Sequence, residues 1–284
     1  MWKIKKSLAL IMTAIIVVCT FPGCGDDGGT NIEYTAPDIP PMSSFLMDFS
    51  DFAQGRLTAP LPGDMGLDAS LPRQNWTWAA SNVLVWNTLI TFGFAIPVAA
   101  FLESFNHEAT RQPNGSWLWD YNFTVGVIHL AELYGKIEDD DVVWEMYISR
   151  EGEGGYTDFL WFSGRSALDG SQGTWTLYQD PDSPTEMIGI TWHRDAEAGT
   201  ADIRYTNIVP GGPEYGGYIH YGVTGGDPYD AFYDIYNKGK ENHTNIEWNI
   251  DDKYGRVKDP AHFLDQDWYC WNGALDDTLC AVSK

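Results

Sequence analysis

From Ser116 onward the chain alternates. In Ser116–Val127, the residues Trp117, Trp119, Tyr121, Phe123, Val125 and Val127 share one side, and Asp120, Asn122 and Thr124 share the other. A period of two places successive side chains on opposite faces of a strand, so one face packs and the other meets water. Similar runs follow at Val127–Gly135, Val142–Ser149, Tyr156–Ser163, Thr174–Gln179, Met187–His193, Ala201–Ile208, Tyr218–Val223, Phe232–Asn237 and Asn245–Ile250. Clusters rich in Gly, Asp and Pro separate them, such as Leu168-Asp169-Gly170 and Gly225-Gly226-Asp227-Pro228. Those residues form tight turns because Gly accepts positive φ, Pro presets its own φ and Asp bonds its own backbone. Short strands at such spacing predict an antiparallel meander, curved or closed into a barrel.

A sheet with one apolar face needs a cover. The predicted cover is Gln74–Leu102, which contains no charged residue. At helical period, Thr77, Ser81, Asn87, Thr88 and Thr91 fall on one side, and large apolar residues fill the rest. A helix this apolar is either buried or set in a membrane. Asn82, Asn87 and the hydroxyl stripe favour burial, with a membrane span or an interfacial helix as alternatives. Pro97 cannot donate to the carbonyl of Gly93, so a kink or break is expected near Gly93. The expected fold is therefore mainly β with one long apolar helix at about 75–105, the sheet packing around it. Ser44–Phe52, where Phe45, Met47 and Phe49 alternate, is expected as one further strand.

Met1–Gly23 has a basic start at Lys3, Lys5 and Lys6, followed by a short apolar run from Leu8 to Val18. That is the layout of a secretory signal. Phe21-Pro22-Gly23-Cys24 follows and resembles the lipobox of bacterial lipoproteins, Gly23 filling the small-residue position and Phe21 standing where Leu is usual. The resemblance implies a diacylated Cys24 as the mature N-terminus, and a lipid-anchored protein of the cell envelope, on the outer membrane. The implied organisation is signal 1–23, tether 24–43, and one β-rich domain at 44–284. By element order alone, the body is similar to the LolA/LolB lipoprotein folds, in which a curved sheet and helices enclose an apolar cavity.

The chain carries a net charge of −23, which repels polyanions and excludes nucleic acid as a partner. Of the four cysteines, Cys19 leaves with the signal and Cys24 is the lipid site, so Cys270 and Cys280 are expected to form a disulfide. No hydrolase elbow, zinc-protease helix, phosphate loop or dinucleotide fingerprint occurs. No catalytic residue, metal ligand or cofactor is therefore assigned. The acidic runs Glu138–Asp141, Asp251-Asp252 and Asp276-Asp277 lack the spacing of a dedicated calcium loop and read as solvated turns. The six histidines stand singly in the sequence. Glu132, Asp158 and Asp234 sit in phase with apolar strand residues. Paired across a cavity they could serve a glycosidase, and otherwise they face solvent or pair with Arg165 or Arg204. The main expectation is a structural or surface-interaction lipoprotein whose partners are the membrane and an envelope component. The alternatives are a carrier for an apolar small molecule or lipid, and a glycosidase-type enzyme.

Overall fold

The structure is a computed structural model that describes residues 34–47, 49, 52 and 74–280. Its compact unit is Ala36–Lys284. The signal, the lipobox and Cys24 lie outside the described residues.

Each strand pairs with the next in sequence, giving one open antiparallel sheet of 14 strands in the order β1 to β14. The long central strands are β2 (Trp117–Val125), β3 (Val127–Glu138), β4 (Asp141–Arg150), β5 (Tyr156–Ala167), β6 (Gln172–Asp180), β7 (Ser183–Asp195) and β8 (Thr200–Asn207). They continue into β9 (Tyr218–Val223), β10 (Ala231–Asn237), β11 (Asn242–Trp248), β12 (Gly255–Lys258) and β13 (Tyr269–Trp271). The edges, β1 (Thr110–Arg111) and β14 (Asp277–Thr278), are two residues each, and β1 covers only Trp117 and Leu118 of β2. The alternation read from the sequence is present as an open meander, not closed into a barrel. The strands that sequence periodicity missed, β1 and β12–β14, are too short to show a period.

The expected single long helix is two helices. α1 spans Gln74–Gly93 and α2 spans Ala95–Ser104, with their axes bent by 74°. The break falls at Phe94, where φ is −123° and ψ is 26°. Pro97 lies in the first turn of α2, where its missing N–H has no intrahelical partner to lose. The helices are also not wrapped on all sides. Ala79, Ala80, Val83, Ile90 and Phe94 are buried, whereas Val85 and Leu89 are about half exposed at 51% and 50%.

What fills the sheet's inner face is shared between these helices and the chain that precedes them. The described residues of Ser44–Phe52 do not form the expected strand: Met42–Ser44 form a 3-10 turn, and Phe45 and Met47 follow as irregular chain. The Tyr205 hydroxyl donates to the Phe45 carbonyl (2.9 Å) and accepts from the Met47 N–H (2.7 Å), fixing this segment on the sheet. The Phe45 ring lies 4.6 Å from Phe101, 4.8 Å from Phe162 and 5.7 Å from Trp175. Phe52 repeats the pattern against Trp248 at 4.9 Å and Tyr233 at 5.7 Å.

Beneath those rings the inner face alternates tryptophan with glycine. Gly135, Trp144, Gly164 and Trp175 are successive partners across β3–β6. A Cβ on Gly135 would lie 2.7 Å from the Trp144 ring, and one on Gly164 would overlap the Trp175 ring. The glycines let each indole lie against neighbouring backbone, the arrangement by which aromatics compensate for glycine in a strand.

The chain end holds the helices. Asp277 on β14 accepts from the N–H groups of Gln74 (3.2 Å) and Asn75 (2.9 Å), meeting orphan donors at the positive end of α1. The disulfide Cys270–Cys280, with a Cα–Cα distance of 5.1 Å, brackets that carboxylate. At the other end of the helix pair, the Tyr121 hydroxyl of β2 donates to Ala100 (2.6 Å).

Candidate functional site

The outer face of β7–β13 collects groups that the sequence scatters. Register places His193 opposite Asp202, and Asp234 opposite both His220 and Asn245. His220 shares a hydrogen bond with Asp202 (3.0 Å). Asp234 accepts from the Tyr218 hydroxyl (2.7 Å) and from Asn245 (3.0 Å), and bonds the His243 ring (3.0 Å). Histidines that stood singly in sequence thus adjoin carboxylates through strand pairing, which no local motif records. Partial burial, with the Asp234 hydrogen bond and charge second, pushes the Tyr218 phenol up to about 12.

Along the same face, cations lie flat on rings. The Arg204 guanidinium sits 3.5 Å from the centre of the Tyr218 ring. Arg256 lies 4.2 Å from Trp268 and 4.6 Å from Tyr229, and Lys258 reaches Trp268 at 5.0 Å. Arg256 Nε also donates to Glu247 (2.7 Å). Such stacking restricts the cation while leaving its other N–H groups free to meet a partner.

The opposite end of the outer face is acidic. Glu132 stands opposite Asp120 across β2–β3 and accepts from the Tyr134 hydroxyl (3.3 Å). Burial, then Glu132, Asp158 and Asp120, raise the Tyr134 pKa. Asp158, at a left-handed φ of 48°, exchanges hydrogen bonds with Ser149. Ile128, which shares this face with Glu132, is 68% exposed. Glu132 and Asp158 therefore point outward, in the same phase as Asp234. Arg165 pairs with Glu138 (3.1 Å) and Asp141 (3.2 Å), holding the acidic β3–β4 turn. Among the described residues no group of three or more His, Cys, Asp or Glu is placed to hold a metal ion.

One corner of the inner face is polar. His129 pairs with Phe123, and Arg150 with Tyr156. Leu130 pairs with Ser149, which sets the next residues, His129 and Arg150, side by side. The Nδ1 atom of buried His129 bonds the Val127 carbonyl at 3.0 Å. Among the described residues, its Nε2 and Arg150 Nε find no hydrogen-bond partner, and the Tyr156 hydroxyl and Trp161 indole N–H find none beyond each other. Burial lowers the His129 pKa, and the Arg150 charge adds to the effect. Register shifts within β5 opposite Met146/Tyr147 and Ile148/Arg150 bring Trp161 into this corner.

Asp259 is a buried acid that strand phase could not flag. It accepts from Trp78 (3.0 Å), Asn242 (2.7 Å) and Thr244 (2.8 Å), and caps the short helix α3 (Pro260–Phe263). Asp followed by Pro is the sequence signal for such a cap. Its partners make it a structural hub joining α1 to β11.

Comparison with known protein families, characterised proteins and solved structures gives no match.

Proposed function

We propose that this chain is a lipid-anchored lipoprotein of the bacterial cell envelope, acylated at Cys24, whose β-domain binds another envelope component through its outer face. The anchoring half rests on the basic start, the apolar run and Gly23-Cys24. The observation that carries the binding half is the set of cations on aromatic rings, Arg204 on Tyr218 and Arg256 with Lys258 on Trp268. Arg, Trp and Tyr are the residues that most often dominate contact energy between macromolecules. In a chain of net charge −23, a cluster of fixed cations is where a partner's carboxylates or aromatic groups gain most. The exposed carboxylates at the other end lack the water-excluding walls that acid–base chemistry at neutral pH uses, so binding is favoured over a glycosidase-type reaction.

The intact mass of protein from the membrane fraction tests the anchor: a diacylated Cys24 is expected, and a mature terminus elsewhere refutes it. Photo-crosslinking from Tyr236 in whole envelopes tests the binding face. A discrete adduct should form and be lost in Arg256→Ala/Trp268→Ala, and an unchanged adduct pattern would count against this face.

A second reading, small-molecule binding, is favoured by one observation: the under-partnered polar groups of His129, Tyr156 and Trp161 meeting in one aromatic corner. Buried polar groups ordinarily find partners, and a hydroxylated ligand or ordered water would supply them. His129→Leu separates the two, since it abolishes ligand binding but leaves a merely hydrated corner folded and functional.

A further inference from the structure

The interaction reading leaves the helix pair unused. No Asp, Glu, Lys or Arg occurs between Gln74 and Leu102, yet Val85 and Leu89 are each about half exposed. Four residues apart, they share one face of α1. The solvent side of a helix ordinarily carries charge, and here it carries none in a strongly acidic chain. Trp86 beside them is half-buried, the kind of side chain that suits a boundary between apolar and aqueous phases.

Three observations choose the occupant. The chain enters the compact unit beside the end of α2, where Ala36, Pro37 and Ile39 share a concavity with Ser104 and Phe105, and Phe105 is itself 40% exposed. About a dozen residues separate Cys24 from Ala36, a reach of roughly 40 Å when fully extended. A body tethered so closely meets its membrane at high effective concentration, so weak contacts become occupied. Finally, an anionic bilayer repels acidic surface but not an uncharged apolar one. No single helix among the described residues is long and apolar enough to cross a membrane, and the pair is sharply bent. By length and composition the two together would suffice only as a bent span or re-entrant loop, and the burial of Ala79, Ala80, Val83 and Ile90 against the protein favours contact at the surface.

We propose that the exposed side of α1 around Val85 and Leu89 rests in the headgroup region of the bilayer to which Cys24 is anchored. The proposal rests on the lipid-anchor reading and adds a second membrane contact that fixes how the body is oriented. The outer face would then be held at a set attitude to the bilayer.

The mature protein should carry no free thiol, with Cys24 acylated and Cys270 bonded to Cys280, so Leu89→Cys introduces a single labelling point. Mature Leu89→Cys, bearing a polarity-sensitive fluorophore, is reconstituted into phosphatidylethanolamine/phosphatidylglycerol vesicles containing chain-brominated lipid. Leu168→Cys, on the exposed β5–β6 turn, is the reference. Quenching several-fold stronger at position 89 than at 168 is expected, and Val85→Asp should remove the difference without releasing protein from the vesicles. Equal quenching at both positions overturns the proposal. So does shielding at position 89 that tracks protein concentration without lipid, which would assign the face to a second copy. If the chain proves unacylated, the anchoring reading falls. The helix contact then stands only if the unacylated chain is quenched at position 89 as lipid is raised, and falls if it is not.

Discussion

The two faces of one sheet divide the chemistry of this protein. On the inner face Trp144, Trp175, Trp248 and Trp271 are fully buried, and glycines on adjoining strands make room for their rings. On the outer face of the sheet, across β8–β11, Arg204, Tyr218, Asp234 and His243 remain partly exposed and engage one another. Removing apolar area from water stabilises by about 25 cal/mol per Å², whereas exposed ion pairs contribute roughly 0–1 kcal/mol. The inner face therefore carries stability. Little of the fold depends on the outer face, which leaves it free to vary.

The largest effect is expected where the preceding chain enters the core. Phe45→Ala empties a site ringed by Phe101, Phe162 and Trp175 and should lower stability by about 3–5 kcal/mol, measured by urea unfolding. A loss under about 1 kcal/mol would show that the segment is a loose flap and that the helices alone cover the sheet.

Removing the bridge should cost less. Cys270→Ala/Cys280→Ala opens a loop with a sequence separation of 10, a loss of about 2–3 kcal/mol on loop-closure grounds. Because Asp277 lies within the loop and holds the start of α1, hydrogen exchange at Gln74 and Asn75 should rise with it. Unchanged exchange there would separate the bridge from the helix.

Gly164→Ala sharpens the comparison from the other direction. It adds only a methyl group, but against the Trp175 ring and the Thr174 carbonyl, so a loss of roughly 1–3 kcal/mol is expected from overpacking. Neutral or improved stability would mean that the tryptophan–glycine rows are loosely packed.

The smallest effect belongs to the outer face and reports on pH. Tyr218 ionises at about 12, above its usual 10. A raised tyrosine pKa stabilises the fold fully below about pH 10, and that contribution is lost as pH rises toward 12. Asp234→Asn removes the second cause of the shift after burial, so the Tyr218 titration should move down while neutral-pH stability hardly changes. The titration is isolated by difference spectroscopy against Tyr218→Phe, and an unmoved pKa would leave burial as the whole cause.

Much of the sheet was legible because the long strands carry a repeating period: Trp117 to Val125 announces itself in every second residue. Short elements such as β13, Tyr269–Trp271, have no period to read. The split at Phe94 was half visible, since Pro97 marks the break but says nothing of a 74° turn. Phe45 looked like a strand residue because local alternation is silent about a Tyr205 hydroxyl 160 residues away. The outer site was hidden for the same reason. Asp202 and His220, or Asp234 and His243, become neighbours through register alone. Cysteine arithmetic, by contrast, was enough for Cys270 and Cys280, because so few thiols were available to pair.

The division between faces is tested most directly by one paired measurement, urea unfolding of Trp175→Ala and Trp268→Ala under identical conditions. Both remove an indole, one from the inner face of the sheet beneath Phe45 and one from the chain just before β13, under Arg256 and Lys258. The account predicts a loss of about 3–5 kcal/mol for Trp175→Ala and under about 1 kcal/mol for Trp268→Ala. Equal losses would contradict it, because the outer face would then be part of the fold's support and not a surface set aside for a partner.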